Sequence, residues 1–216
     1  MIKILYEDKH LTVAVKPRGT LSEGGTPGSM PALLEEACAS RFYSVHRLDR
    51  ETAGIMVYAK SGKVAGLLSE ALQGGGFLKE YLAVVHGVPT PPFGEYRDLL
   101  FRDAKKNKTY LVDRKRAGVR EATLSYETRQ TVMKDGQPLS LVFVRLGTGR
   151  THQIRAQFAG RNMPLYGDGR YGGRERAPLG LFAYHLSFKH PITKKTLDFC
   201  EGPPEEEAFL LFKDPN

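Results

Sequence analysis

The chain has 216 residues, and 32 Lys and Arg against 24 Asp and Glu give it a formal net charge of +8 at pH 7. Hydrophobic residues make up 41% and charged residues 26%, which is typical of a globular protein and excludes a disordered, collagenous or coiled-coil chain. This length suits a single domain, and no apolar run approaches the roughly 18 residues of a membrane-spanning helix.

The first part of the chain is predicted to hold two strands and two helices. The strands are the apolar runs Leu11–Val15, which Pro17 ends, and Ile55–Ala59. A first helix begins at Pro31 and runs to Ala39, and a second is capped by Ser61 and ends at the glycines 74–76. Their expected buried residues are Leu33, Leu34, Ala37 and Cys38 in the first helix, and Val64, Leu67, Leu68, Ala71 and Leu72 in the second.

The second part is predicted to be mostly strand. The expected strands are Tyr81–Val85, Glu121–Thr128, Leu141–Val144 and Leu181–Phe188. A short helix spans Thr151–Gly160 with Ile154 and Phe158 on one side, and Pro204 with three glutamates begins a last helix. Because the strands do not alternate regularly with helices, the pattern predicts an α+β fold, with a large, mostly antiparallel sheet and helices packed on it, as one domain over residues 1–216.

The excess positive charge lies in two inner segments. Eight Lys and Arg against two acids fill residues 102–120, which we expect to be an exposed hairpin or loop. Residues 145–176 hold seven arginines and no lysine, and arginine is preferred where a planar fork grips phosphate or carboxylate. Basic proteins of this size often bind nucleic acid, although charge alone fits a solvated basic surface equally well.

No motif for a metal or for secretion is present. His46, His152 and His185 match no metal-ligand spacing, so no metal site is predicted. Cys38 and Cys200 form no disulfide framework, and we expect both to be small buried residues. The apolar run at the N-terminus is too short for a signal or transit peptide, so a soluble cytoplasmic protein is expected.

The segment His46–Gly54 holds the densest cluster of reactive side chains. Asp49 lies between Arg47 and Arg50, and neighbouring arginines keep an aspartate ionised. An ionised aspartate in a fixed position serves as a covalent nucleophile or a general base. A surface loop with local ion pairs is the plain alternative.

Two further segments carry candidate functional groups. Glycines 147 and 149 precede the predicted helix with Thr151 near its cap, which favours a phosphate site at Arg150 and the first backbone N–H groups. Arg155, one turn further on, is placed to reach a buried carboxylate. Tyr81 begins a strand, where its ring could stack on a base or simply belong to the core.

Taken in this order, the segments resemble the RluA-type family of RNA pseudouridine synthases. The resemblance rests on residues 11–19 with Lys-Pro-x-Gly, 46–54 (HRLD-x-x-T-[SA]-G), 79–83 (K-x-Y-x-A), 149–155 (GRTHQIR), 164–168 (PL-x-GD), 181–183 and 190–191. Val15 stands where the family often has Asn, and Ala53 where it often has Ser. Many members also carry an N-terminal S4-type RNA-binding domain, which these residues do not show. We therefore expect the catalytic domain itself to hold the RNA.

The resemblance implies a fold, a reaction and a set of site residues. It implies the pseudouridine synthase fold with a catalytic cleft across the sheet, in an enzyme that isomerises uridine in ribosomal or transfer RNA without cofactor or metal. Asp49 would be the nucleophile, at ribose C1′ or at the uracil ring, and Arg155 would pair with it. Tyr81 would stack on the flipped base and assist proton removal from C5. The expected RNA-binding residues are Arg47, Lys79, Arg150, His152 and Gln153, in a monomer whose partner is an RNA stem-loop.

Two other functions remain open from the sequence. One is a catalytically silent RNA-binding module of the same fold. The other is a hydrolase of glycosidic bonds, which would use a second carboxylate as the acid. Glu51 is the one candidate for that acid beside Asp49.

Overall fold

Strands dominate the structure, a computed structural model that describes residues 2–205 and 207–212, with Glu207 described by its backbone alone. The strands in these residues are β1 Lys3–Glu7, β2 Leu11–Lys16, β3 Tyr43–Ser44, β4 Ala53–Ala59, β5 Phe77–His86, β6 Phe93–Asp103, β7 Lys108–Val112, β8 Val119–Lys134, β9 Gln137–Leu146, β10 Leu181–Lys189 and β11 Thr196–Cys200. The helices are α1 Met30–Cys38, α2 Gly62–Gln73, α3 Gln153–Ala159 and α4 Glu207–Leu210. The described strand registers are all antiparallel, and the predicted α+β class is confirmed.

The chain divides into two compact units. Unit 1 consists of Met1–Lys79 with Ala183–Glu201, and unit 2 of Glu80–Phe182 with Gly202–Asn216. The expectation of one domain stays a prediction. Within the described residues no helix is long and apolar enough to cross a membrane.

Unit 1 is a curved set of strands with α2 packed on one face. Its strands follow the order β1-β2-β4-β10, with β3 paired to β4 and β11 paired to β10. Val64 and Leu68 of α2 enter a core with Leu11, Ile55 and Leu186, and the stacked rings of Phe77 and Phe188 extend it. The predicted cap is confirmed, since the Ser61 hydroxyl accepts a bond from the Val64 N–H at 3.3 Å.

Unit 2 is a second antiparallel set in the order β5-β9-β8-β6-β7. Its strand β8 alternates as predicted: Ala122, Leu124 and Tyr126 are buried, and their neighbours face outward. Strands β6 and β7 form the expected basic hairpin, which turns at residues 104–107. We call residues 102–120 the basic hairpin; its Lys and Arg residues are exposed except for half-buried Lys108.

Several local predictions need correction. Ala37 is exposed, because α1 buries only Met30, Pro31 and Leu34. Cys200 is exposed at the end of β11 and Cys38 is half-buried, so neither is the buried residue expected; neither forms a disulfide.

Two helix boundaries also differ from the predictions. Helix α3 begins at Gln153, with His152 in the left-handed conformation at its cap, and six of its seven residues are buried rather than one side only. Because nearly all of its residues are buried, the spacing of apolar residues along the helix did not indicate how much of it is buried. Helix α4 begins at Glu207 rather than at Pro204, and the predicted residue Glu206 lies outside the described residues.

Candidate active site

The loop between β3 and β4 carries Asp49 and is held in place through its backbone. The buried Ser22 hydroxyl donates to the Leu48 carbonyl at 2.7 Å and accepts from the Leu48 N–H at 3.0 Å. The Thr52 N–H closes a turn on the Asp49 carbonyl at 3.0 Å. Since both neighbours of Asp49 in the chain are part of a fixed backbone, the carboxylate projects from a defined position.

The buried Lys16 side chain also holds this loop, through hydrogen bonds to backbone carbonyls. Its side chain is completely buried, and its ammonium donates to the carbonyls of Pro17, Thr20 and Arg50 at 3.0, 2.8 and 3.1 Å. Burial lowers the pKa of Lys16 to about 8, against which the charges of Glu51 and Asp49 act. Three carbonyls satisfy the three donors of an ammonium group, so this lysine joins the turn after β2 to the residue next to Asp49.

The end of the loop requires a glycine. Gly54 has φ +134, and a Cβ there would lie 2.4 Å from the Ala183 carbonyl oxygen and 2.5 Å from its nitrogen. The sheet backbone therefore approaches too closely for any side chain. This close approach is the physical reason why the motif at residues 46–54 ends in a glycine.

His46 is a neutral structural group at the start of this segment. Its Nε2 accepts a bond from the Val57 N–H at 3.2 Å, and its ring meets Phe77 edge-on. Burial, with a smaller effect of the Lys79 charge, lowers the pKa of His46 to about 3. Val57 lies in β4, so His46 ties the loop to the sheet.

Two of the predicted RNA-binding residues lie in unit 1. Arg47 is exposed, and its ion pair with Glu23 at 2.9 Å is also exposed, so the guanidinium is accessible to a phosphate. Lys79 is half-buried at the end of unit 1, and burial lowers its pKa.

In unit 2, Arg155 is held by a buried ion pair with Asp168. Its Nε and Nη2 donate to the two oxygens of Asp168 at 2.7 and 2.8 Å, and the two side chains are only 7% and 1% exposed. This parallel pair of bonds fixes the guanidinium plane. A guanidinium carries five N–H donors, and the pair with Asp168 uses two of them.

Tyr171 connects Arg155 to the basic hairpin. The Arg155 guanidinium carbon lies 5.1 Å from the centre of its ring. The Tyr171 hydroxyl accepts from the Thr109 N–H at 2.7 Å and lies 3.1 Å from His152 Nδ1. His152 is thus buried against protein atoms at the cap of α3, and its contact with RNA stays a prediction.

Gln153 orders the turn that leads into α3. Its carbonyl oxygen accepts from the Thr148 hydroxyl at 2.8 Å and from the Arg150 N–H at 3.0 Å, and its amide donates to the Thr123 carbonyl at 3.0 Å. The residue is 3% exposed. Its predicted RNA contact is untested, but the amide is committed to three bonds within the protein.

Arg150 and Tyr81 complete the predicted set. Arg150 is exposed, and its Nε donates to the Glu121 carbonyl at 2.9 Å, which holds the base of the side chain at the surface. Tyr81 lies in β5 opposite Val144 and is 7% exposed. The structure therefore places Asp49, Arg47 and Lys79 in unit 1 and Tyr81, Arg150, His152, Gln153 and Arg155 in unit 2.

Comparison with known proteins identifies the family. The model of the RNA pseudouridylate synthase family matches residues 10–160. The chain belongs to this family. It is 34% identical to an uncharacterized RNA pseudouridine synthase of Aquifex aeolicus (strain VF5), over 94% of this chain and 70% of that protein.

A second relative agrees with this assignment, and a solved structure shows the same fold. The ribosomal large subunit pseudouridine synthase D of Vibrio vulnificus (strain CMCP6) is 33% identical over 97% of this chain and 69% of its own. Human RNA pseudouridylate synthase domain containing 4 shares the fold, with a TM-score of 0.76, 24% identity and coverage of 94% of this chain and 89% of that one. As a family member, this pseudouridine synthase is an isomerase that acts on RNA.

Sequence reasoning did not identify four residues that contact the Asp49 loop or Arg155: Lys16, Ser22, Asp168 and Tyr171. Lys16 and Asp168 stand inside quoted motifs, Lys-Pro-x-Gly and PL-x-GD, so a signal for both was present. Nothing in the sequence around Ser22 or Tyr171 indicates their contacts, which join residues 26 and 62 positions apart.

Proposed function

We propose that this pseudouridine synthase modifies uridine in the RNA of the large ribosomal subunit, with Asp49 as its nucleophile. The observation that carries the proposal is the Asp49 loop itself, pinned through backbone bonds by Ser22 and Lys16. Two relatives named ribosomal large subunit pseudouridine synthase D, from Vibrio vulnificus and Yersinia pestis, support the choice of RNA.

The proposed reaction is an isomerisation, so uridine and pseudouridine contain the same atoms. The Asp49 carboxylate adds to ribose C1′ or to the uracil ring, and the bond between N1 and C1′ breaks. The base turns, a bond forms between C5 and C1′, the proton on C5 leaves, and N1 gains a proton as Asp49 is released. No redox partner enters, and the leaving proton at C5 gives the reaction its isotopic signature.

Arg155 and Tyr81 are assigned supporting roles. Arg155 stabilises negative charge during the reaction, while Asp168 keeps the guanidinium in one plane. Tyr81 stacks on the extruded base and assists removal of the C5 proton. Extrusion costs a few kcal/mol, and stacking offsets part of it.

The RNA is held by exposed cations. Arg47, Arg150 and the basic hairpin supply phosphate contacts that are independent of base sequence. Gln153 positions Arg150 by accepting a hydrogen bond from its N–H, and His152 contacts the Tyr171 hydroxyl that binds the basic hairpin. We infer a monomer that binds a stem-loop in the cytoplasm, without a protein partner.

Tritium release from RNA labelled at uridine C5 tests the nucleophile. Asp49→Ala is expected to abolish release and to leave RNA affinity within about tenfold, or roughly 1.4 kcal/mol. Glu51→Gln is the matched control in the same loop and is expected to remain active. Activity retained by Asp49→Ala would contradict the assignment, and free uracil as a product that depends on Glu51 would indicate the hydrolase.

The substrate is tested separately with unlabelled RNA. The purified protein is incubated with large-subunit ribosomal RNA and with total transfer RNA, and pseudouridine is then mapped at single-nucleotide resolution. New pseudouridine in the ribosomal RNA is expected. Modification of transfer RNA alone would replace the proposed substrate, and modification of neither RNA, with binding intact, would favour the silent module.

A further inference from the structure

Strands β10 and β11 present three metal-ligating side chains on one face. His185 lies directly opposite Cys200, and Ser187 directly opposite Asp198. Because side chains alternate along a strand, His185, Asp198 and Cys200 share this face. The other face carries Leu186 and Phe188, which are buried in the core of unit 1, so the three polar side chains are fixed on a rigid base.

The three donor atoms are close together. One ligand atom from each of His185, Asp198 and Cys200 lies within 4.8 Å of the others, and His185 Nε2 is 3.1 Å from Asp198 Oδ1. Bonds of about 2.0–2.3 Å place the ligand atoms of a tetrahedral zinc ion roughly 3.3–3.8 Å apart. The limit of 4.8 Å on the present separations exceeds that spacing by about 1 Å, which is the movement that ion binding requires.

The surroundings favour a ligating carboxylate and allow access. His185 Nε2 lies 3.1 Å from Asp198 Oδ1, so the imidazole and the carboxylate already converge. The His185 side chain is 14% exposed and that of Asp198 is 58% exposed, and Cys200 is exposed. The imidazole is thus mostly buried, while the carboxylate and the Cys200 residue are exposed to solvent.

We propose that His185, Asp198 and Cys200 bind a divalent transition-metal ion, with Zn²⁺ as the best match. One nitrogen, one oxygen and one thiolate sulfur suit zinc and disfavour the oxygen-seeking Mg²⁺ and Ca²⁺. With three protein ligands the fourth position belongs to water. The ion joins β10 to β11 and so stabilises this part of unit 1.

This set of ligands was not visible as a motif. The histidine and the Asp-x-Cys pair are separated by twelve residues and belong to different strands, and strand register alone brings them together. Sequence spacing rules describe ligands on one turn or knuckle, so they do not cover cross-strand sites of this kind.

Cobalt provides a probe that is independent of RNA activity. The untagged protein is stripped with chelator, reduced and titrated with Co²⁺, and sulfur-to-cobalt charge-transfer absorption is recorded in the near-ultraviolet. We expect this band in the wild type and in the matched control Cys38→Ser, and its disappearance in Cys200→Ser. Added Zn²⁺ should displace the cobalt and abolish the band.

Two further readings complete the test. His185→Gln and Asp198→Asn should weaken zinc binding at least about tenfold, the loss typical even of outer-shell partners. Zinc should raise the Tm of the wild type and of Cys38→Ser but not of Cys200→Ser. A wild type without the charge-transfer band, or a band that persists in Cys200→Ser, would overturn the proposal whether or not the other variants fold.

Discussion

Asp49 in its loop of unit 1 and Arg155 in helix α3 of unit 2 are each held in position, but by different means. The loop is fixed through backbone groups: Lys16 and Ser22 bind carbonyls and an N–H beside Asp49. In α3 the arginine side chain itself makes the fixing contact, because the Asp168 carboxylate accepts two hydrogen bonds from the Arg155 guanidinium. Backbone groups therefore hold the position of Asp49, whereas a buried ion pair holds that of Arg155.

Loss of Asp168 should have the largest effect. Asp168→Ala leaves the buried Arg155 guanidinium without its counter-ion, and breaking a buried pair costs about 3–5 kcal/mol. Urea unfolding of the RNA-free protein measures this change. Glu127→Ala, which removes the exposed ion pair with Arg129, is the control, and an equal effect of the two variants would show that Arg155 does not depend on Asp168.

Loss of Lys16 tests the other side of the comparison. Lys16→Met keeps the length of the side chain but removes the donor of three buried carbonyls, so we expect about 2–3 kcal/mol of destabilisation. A loosened loop should also lower kcat for tritium release more than it raises KM. Lys63→Met on the exposed start of α2 controls for loss of charge, and an unchanged kcat in Lys16→Met would remove its role in positioning Asp49.

Gln153 offers a smaller and more specific test. Gln153→Met deletes three bonds around the turn and should lower the free energy of unfolding by about 1–2 kcal/mol without RNA present. Arg150→Ala, by contrast, should leave stability nearly unchanged and reduce the salt dependence of RNA binding by about one counterion. If Gln153→Met weakens RNA binding but not folding, the direct contact predicted from the sequence is correct.

The remaining prediction is a change in the pH dependence of stability rather than in stability near neutral pH. Folded His46 stays neutral down to its pKa of about 3, whereas the unfolded chain takes up a proton near the ordinary value of 6.5. The free energy of unfolding therefore falls as the pH drops through this window, by about 1.4 kcal/mol for each unit in which only the unfolded chain is protonated. His46→Gln keeps an acceptor for the Val57 N–H and should flatten this dependence, and parallel curves for the two proteins would refute it.

Sequence patterns were sufficient where local chemistry decides structure. The Ser61 cap and the alternation of β8 depend on residues close in the chain, and both were predicted correctly. Residues 102–120 were expected to be an exposed hairpin or loop, and the strands β6 and β7 that form the hairpin were not predicted. The helix α3 and its buried Ile154 and Phe158 were also predicted, but the burial of six of its seven residues was not, nor was the exposure of Cys200. In both places, burial is set by segments distant in the sequence.

The order of the motifs alone indicated the family and the reaction class, and it predicted a short set of reactive residues that includes Asp49, Tyr81 and Arg155. Only the tertiary structure decided what holds them: the buried ammonium of Lys16, the Asp168 partner of Arg155 and the commitment of Gln153 to bonds within the protein. The same holds for the face shared by His185, Asp198 and Cys200. The physical reason is that a motif records which groups the chemistry needs, whereas hydrogen bonds and ion pairs form between groups that only folding brings within about 3 Å.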